Sequence, residues 1–158
     1  MQIIYIGDAN KLLNRIKSNH CSGNVEGSAL RQHIALAMGY KLKRTKRNSG
    51  STRIRIDSQE PHQDEKRVSD YIRNGKWRII LLDNYKTAND FQWFAIEKLC
   101  PLLNRKRKDY GQAYINLYTS FLQKLKNSPL LDYENICSIK SAPGVYIFYH
   151  SSNPKEHE

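Results

Sequence analysis

The 158-residue sequence has little cysteine and no long apolar run. Its three cysteines, Cys21, Cys100 and Cys137, are too few and too far apart for a disulfide framework or a zinc site. They favour a reducing, cytoplasmic location. No stretch approaches the roughly 20 apolar residues of a membrane-spanning helix, so the sequence predicts no membrane partner.

Acidic residues are also scarce. There are 15 of them against 26 lysines and arginines, which gives a formal net charge of +11. Such an excess favours a nucleic acid as the partner. The basic residues concentrate in two segments, 41–55 and 105–108. At this length the chain forms one domain with a core of its own.

The apolar pattern predicts an α+β fold with few strands and several helices. Strands are expected at Gln2–Ile6, Thr52–Ile56, Trp77–Leu82 and Val145–Tyr149. Helices are expected at Lys11–Asn19, from an N-cap at Ser28 to Gly39, at Glu65–Arg73, Asp90–Cys100 and Gln112–Lys126. The segment 128–142 is expected to be a loop.

Two tripeptides at opposite ends of the chain contain the candidate catalytic tyrosines. Tyr5-Ile6-Gly7 ends the first expected strand, and Gly144-Val145-Tyr146 begins the last. Arg15 follows Tyr5 by ten residues, and His20 lies five further on. A helix that leaves the strand at Gly7 can direct the Arg15 guanidinium at the cleft that the tyrosine faces. Phosphodiester cleavage needs such a cation for the charge that develops on the phosphate, and the arginine fork suits phosphate.

These segments resemble the opening of a GIY-YIG nuclease domain, in the reverse chain order. The resemblance implies a small antiparallel sheet flanked by helices, circularly permuted, in one domain over 1–158 with a helical connector at 105–142. It implies Tyr146 as general base with Tyr5 as its partner, or the reverse. Arg15 and His20 would stabilise the phosphate. Gly7 and Asn104 would support the site.

The run 91–106 resembles the family helix that carries the metal-binding glutamate. Aligned on Pro101 and Asn104, that position falls on Gln92. The resemblance implies one Mg²⁺ or Mn²⁺ ion there, although hard cations prefer charged oxygens to an amide. Glu97 and Asp90 lie about 140° and 160° round the helix from Gln92, so neither substitutes for it. Two interpretations stay open: a naturally weakened member, or an engineered Glu→Gln change that inactivates the chain.

The sequence therefore predicts a metal-dependent endonuclease that acts on double-stranded DNA. The alternative is a non-catalytic nucleic-acid-binding module on the same scaffold. The segment 22–39 resembles one branch of the family, which implies Arg31 and His33 as phosphate contacts. The other residues expected to contact DNA lie in the two basic segments: Lys43, Arg44, Lys46, Arg47, Arg53, Arg105 and Lys106. The C-terminal strand could also pair in a second subunit, which would give a homodimer.

Overall fold

The computed structural model describes residues 1–104 and 108–156. Two of the expected DNA contacts, Arg105 and Lys106, lie outside the described residues. In the described part of the chain, no helix is long and apolar enough to cross a membrane.

The main sheet has three antiparallel strands in the order β1-β5-β4. They are β1 (Gln2–Ala9), β4 (Lys76–Leu81) and β5 (Gly144–His150). The central strand is thus the last in the sequence. It places Tyr146 opposite Gly7, and Phe148 opposite Tyr5. The three strands agree with the apolar runs that predicted them, and the predicted α+β class is confirmed.

The helices surround this sheet. They are α1 (Leu12–Asn14), α2 (Ala29–Ala37), α3 (Pro61–Arg73), α4 (Tyr85–Leu99) and α5 (Ile115–Asn127), together with a π-helix at Arg15–Cys21. Short 3₁₀ turns occur at Val25–Gly27, Gln112–Tyr114, Asn135–Ser138 and Pro154–Glu156.

Two helices begin earlier than the apolar pattern predicts. Helix α4 begins at Tyr85 because the Asn84 side chain caps it, accepting a hydrogen bond from the Thr87 amide at 2.8 Å. Helix α3 begins at Pro61, since proline suits the first helical position. The expected helix at Lys11–Asn19 is instead α1 followed by the π-helix.

A second, two-stranded sheet is a hairpin of β2 (Leu42–Lys46) and β3 (Thr52–Ile56). The sequence predicts only β3. Strand β2 reads LKRTK and has a single apolar residue, so its hydrogen bonds to β3, and not burial, define it as a strand. The hairpin places Lys43 directly opposite Arg55 and leaves most of its basic side chains exposed.

The core has two parts, one on each face of the main sheet. Strand β5 contributes to both: Tyr146 and Phe148 face one cluster, and Val145 and Ile147 face the other. The first cluster includes residues of the π-helix, α2 and α3, and the second includes residues of α4 and α5. The candidate site forms on the first face, where β1, β5 and the π-helix meet.

Candidate active site

The structure brings the two motif tyrosines together. Tyr5 on β1 and Tyr146 on β5 have ring centroids 6.4 Å apart with their planes 29° apart. Tyr146 is 1% exposed and Tyr5 is 8% exposed, so Tyr5 lies closer to solvent. The split motif is therefore a single pair of phenols on adjacent strands.

Gly7 makes this arrangement sterically feasible. It lies opposite Tyr146 in the antiparallel pair, and the Tyr146 hydroxyl rests against its backbone. A Cβ atom at position 7 would overlap that hydroxyl. Any larger residue would push the phenol out of place.

The π-helix brings Arg15 and His20 towards the same side of the helix. Residues five apart lie about 140° apart on an α-helix. In a π-helix the hydrogen bonds join residues five apart, so Arg15 and His20 come one turn above each other. Arg15 is half-buried, and its Nη1 donates to the Gly27 carbonyl at 3.0 Å. His20 is fully buried.

His20 bridges Tyr146 and Ser28. Its Nε2 lies 2.6 Å from the Tyr146 hydroxyl, and its Nδ1 lies 2.6 Å from Ser28 Oγ. Ser28 Oγ also accepts the Arg31 amide as the N-cap of α2. The sequence identified Ser28 as a cap but gave no signal of its bond to His20. A continuous series of hydrogen bonds thus joins Ser28, the N-cap of α2, to the hydroxyl of Tyr146 on β5.

Burial sets the protonation states of these groups. It raises the pKa of Tyr146 well above its usual value, and the nearby Tyr5 adds to this, while Arg15 opposes it. Burial likewise raises the pKa of Tyr5, with Arg15 again opposing. The pKa of His20 lies well below its usual value, because the imidazole is buried and the charges of Arg15 and Arg31 disfavour a second cation. At neutral pH the site holds two neutral phenols and a neutral imidazole.

We predict that this buried histidine makes the fold acid-sensitive. Below about pH 6.5 the unfolded chain protonates His20 while the folded chain does not. The free energy of unfolding that the neutral His20 contributes is therefore fully present above that pH. It is lost as the pH falls, by up to about 1.4 kcal/mol per pH unit. Urea unfolding between pH 7.5 and 5 should show this slope, and His20→Asn should flatten it. His62→Asn, at an exposed histidine, should leave the slope as in the wild type, and equal slopes in all three chains would contradict the prediction.

Asn104 and Gln92 both contact the backbone of Ile6, between Tyr5 and Gly7. The Asn104 side chain accepts the Ile6 amide at 2.8 Å and donates to the Ile6 carbonyl at 3.0 Å. Gln92 on α4 donates its Nε2 to the same carbonyl at 3.4 Å. Asn104 thus acts as a short strand partner for β1 and fixes the motif backbone.

The divalent ion that the family implies does not fit position 92 as it stands. Gln92 is neutral and buried, and its amide nitrogen faces the Ile6 carbonyl. Among residues 1–104 and 108–156, no group of three or more His, Cys, Asp or Glu side chains is placed to hold a metal. A hard cation would find no charged ligand at Gln92.

A carboxylate that the sequence analysis missed lies at the edge of the site. Asp8 follows Gly7 directly, and its Oδ2 accepts a hydrogen bond from Asn89 at 3.0 Å. It also raises the pKa of Tyr85, through its charge and a hydrogen bond, with burial adding to this. Tyr85, Asn89 and Gln92 share one face of α4, since they lie within about 60° of each other round the helix. The position of Asp8 immediately after the motif is the signal that could have found it.

Arg31 and His33, the two expected DNA contacts on α2, do not lie on an open basic surface. Arg31 is buried: Nη1 donates to the His20 carbonyl and Ser69 Oγ, and Nη2 pairs with Glu65 at 2.6 Å. It cannot contact DNA from this position, because the side chain is fully buried and both terminal nitrogens of its guanidinium bind groups inside the domain. The His33 ring lies edge-on to Tyr5, with centroids 6.0 Å apart. His33 is therefore beside the candidate site.

The exposed cations of the hairpin form a basic surface. Lys43, Arg44, Lys46 and Arg53 are all exposed. Arg47 is exposed as well, but it pairs with Glu26. Together they give the hairpin a dense positive charge.

The small antiparallel sheet, the paired tyrosines with a glycine beneath one of them and the nearby arginine form the kind of site that the resemblance to GIY-YIG nucleases implies. A family model described as the GIY-YIG catalytic domain matches residues 1–127, and the chain belongs to this family. The family is an endonuclease superfamily whose members generally depend on a divalent metal, and a nuclease domain acts on nucleic acid. No curated protein and no solved structure matches the chain.

Proposed function

We propose that the chain is an endonuclease-type domain that binds double-stranded DNA and hydrolyses its phosphodiester bonds. The observation that carries this is the convergence of Tyr5, Tyr146, Arg15 and His20 from three separate elements at one place. The net charge of +11 and the exposed cations of the hairpin support a DNA backbone as the ligand.

The hydrogen-bonded side chains of Tyr146, His20 and Ser28 provide a route for the proton of the attacking water. In the tautomer that we assign, His20 Nδ1–H donates to Ser28 Oγ and Nε2 accepts from the Tyr146 hydroxyl. The water oxygen attacks phosphorus and its proton passes to Tyr146, while the Tyr146 proton moves to His20 Nε2 only transiently, because burial and the charges of Arg15 and Arg31 disfavour an imidazolium. A phenolate, which burial disfavours, need not accumulate.

Arg15 is the cation for the developing charge on the phosphate. Its guanidinium is half-buried and bonds through Nη1 to the Gly27 carbonyl, so it is held near the phenols with donors to spare. His20 is neutral and buried, so we propose it as a proton acceptor in place of the predicted phosphate contact. The P–O bond to the leaving oxygen then breaks and that oxygen takes a proton from solvent. His20 returns its proton through Tyr146 to solvent, which restores the neutral site.

A weak or inactive enzyme is the second candidate. It is favoured by one observation: the neutral amide of Gln92, where the resemblance implies a glutamate, is buried and faces a backbone carbonyl. On this proposal the chain binds DNA and cleaves it slowly or not at all.

We also propose that the domain is a circular permutant of the family arrangement. Its support is the pairing of the two motif strands: Gln2 lies opposite His150, so the start of β1 and the end of β5 are neighbours. A short turn between them would restore the order in which the Gly-Val-Tyr strand precedes the Tyr-Ile-Gly strand. The matched residues 1–127 do not include β5.

Nicking of supercoiled plasmid in Mg²⁺ or Mn²⁺ tests the proposed activity. We expect slow nicking by the wild type and a loss of about 100-fold or more in Arg15→Gln, because the charge on the phosphate loses its cation. Lys11→Gln removes a charge from an exposed neighbour and should change the rate little. If neither the wild type nor Gln92→Glu nicks the plasmid while both bind duplex DNA, the binding module is the correct function.

A further inference from the structure

The basic hairpin is in contact with an acid, Glu26, at two points. Glu26 lies in the 3₁₀ turn Val25–Gly27, which follows the π-helix. Its Oε1 pairs with Arg47 Nη2 at 2.6 Å, and its Oε2 pairs with Arg55 Nη1 at 2.6 Å. Each carboxylate oxygen thus has its own guanidinium.

The two arginines approach from both strands of the hairpin. Arg47 follows β2 directly and Arg55 lies in β3. Residues 41–56 contain no aspartate or glutamate, so the acid comes from another part of the chain. A DNA phosphate also has two non-bridging oxygens, and each could accept hydrogen bonds from one of these two guanidinium groups.

This ion pair is accessible to a competing anion. The side chains of Arg47, Arg55 and Glu26 are 44%, 33% and 22% exposed. Ion pairs exposed to this degree contribute little to stability, because water and salt screen them. A polyanion at high local concentration can therefore displace the carboxylate without unfolding the domain.

The same turn contacts the candidate site. The carbonyl of Gly27, the residue after Glu26, holds Arg15 Nη1 at 3.0 Å, and the next residue, Ser28, holds His20. The turn that carries Glu26 is therefore bonded directly to the residues proposed for phosphate and proton handling.

We propose that Glu26 is an internal phosphate mimic. Its carboxylate occupies a subsite, formed by Arg47 and Arg55, that binds a backbone phosphate of duplex DNA, and DNA must displace it to bind. This rests on the proposed function, since it takes the hairpin as the DNA-binding surface. Glu26 then lowers the affinity for DNA in general, and the turn that carries Glu26 lies next to Arg15.

Duplex binding by fluorescence anisotropy tests the mimic. We expect Glu26→Gln to bind a short duplex about 10-fold more tightly than the wild type. Glu60→Gln makes the same change of charge at an exposed glutamate, and it should give a clearly smaller gain. The gain from Glu26→Gln should disappear when Arg47→Gln and Arg55→Gln are both present, because the site that Glu26 blocks is then absent.

A second measurement does not depend on the fold of the Glu26 variant. Arg47→Gln alone should reduce the slope of log K against log salt by about 0.9, the value for one lost phosphate contact. An unchanged slope, or equal gains from Glu26→Gln and Glu60→Gln, would overturn the mimic while leaving DNA binding intact. Failure of the wild type and of every variant to bind duplex would instead overturn the proposed function.

Discussion

Gln92→Glu is expected to raise metal-dependent plasmid nicking by at least about 100-fold over the wild type. The substitution supplies the charged oxygen that a hard divalent cation requires, at a position that already faces the motif backbone. The other proposed residues, Tyr5, Arg15, His20 and Tyr146, are in place without it. The rate should depend on the concentration of Mg²⁺ or Mn²⁺ in the variant far more steeply than in the wild type.

The stability of the Gln92→Glu variant provides a second test that does not depend on cleavage. A glutamate at 92 loses the hydrogen bond to the Ile6 carbonyl and buries a charge, which should cost about 1–3 kcal/mol without metal. Millimolar Mg²⁺ should restore much of this, seen as a rise in Tm of several degrees that the wild type does not show.

Gln63→Glu is the matched control for this variant. It makes the same change of charge at an exposed position on α3. It should change neither the rate nor the response of Tm to Mg²⁺. A Gln92→Glu chain that folds, shows no response to metal and does not nick would show that position 92 is not the missing ligand.

Arg31→Met should destabilise the domain by about 3–5 kcal/mol. The arginine is buried, and its removal leaves the Glu65 carboxylate without its cation in a largely covered position. Adding Glu65→Gln should recover part of the loss, because it removes the unpaired charge and keeps a side-chain oxygen for the Val25 amide. Urea unfolding of the two variants measures both effects.

Lys43→Met separates this structural role from DNA binding. Lys43 is exposed on the hairpin, so its substitution should change stability by less than about 0.5 kcal/mol while weakening duplex binding. A stable Arg31→Met chain with reduced DNA affinity would restore Arg31 as a phosphate contact.

The strands that the sequence predicts are those defined by a run of apolar residues. Strands β1, β4 and β5 are short runs of apolar and β-branched residues, and each is found close to its predicted bounds. Strand β2 is missed, since it is held by pairing with β3 and has almost no apolar residues. The pairing of Tyr5 with Tyr146 could be predicted only through the resemblance, because 141 positions of sequence separate them.

The roles of individual site residues are harder to predict. Arg15 and His20 are five apart, which on an ordinary helix would point them in different directions, and only the π-helix aligns them. Arg31 looks like a surface cation in sequence, since its partner Glu65 is 34 residues away. Asp8 follows the motif directly, whereas Glu26 is marked only by its contacts with Arg47 and Arg55, which are 21 and 29 residues away. Such contacts leave no periodic signal.

The position of β5 in the chain has a consequence for synthesis. On the ribosome, β1 and the helices that carry Arg15, His20 and Gln92 are made long before residues 144–150. Until that strand emerges, β1 and β4 have no partner between them and Tyr146 is missing. On the proposed function, a nascent or prematurely terminated chain therefore lacks Tyr146 and cannot cleave, although it already carries the basic hairpin.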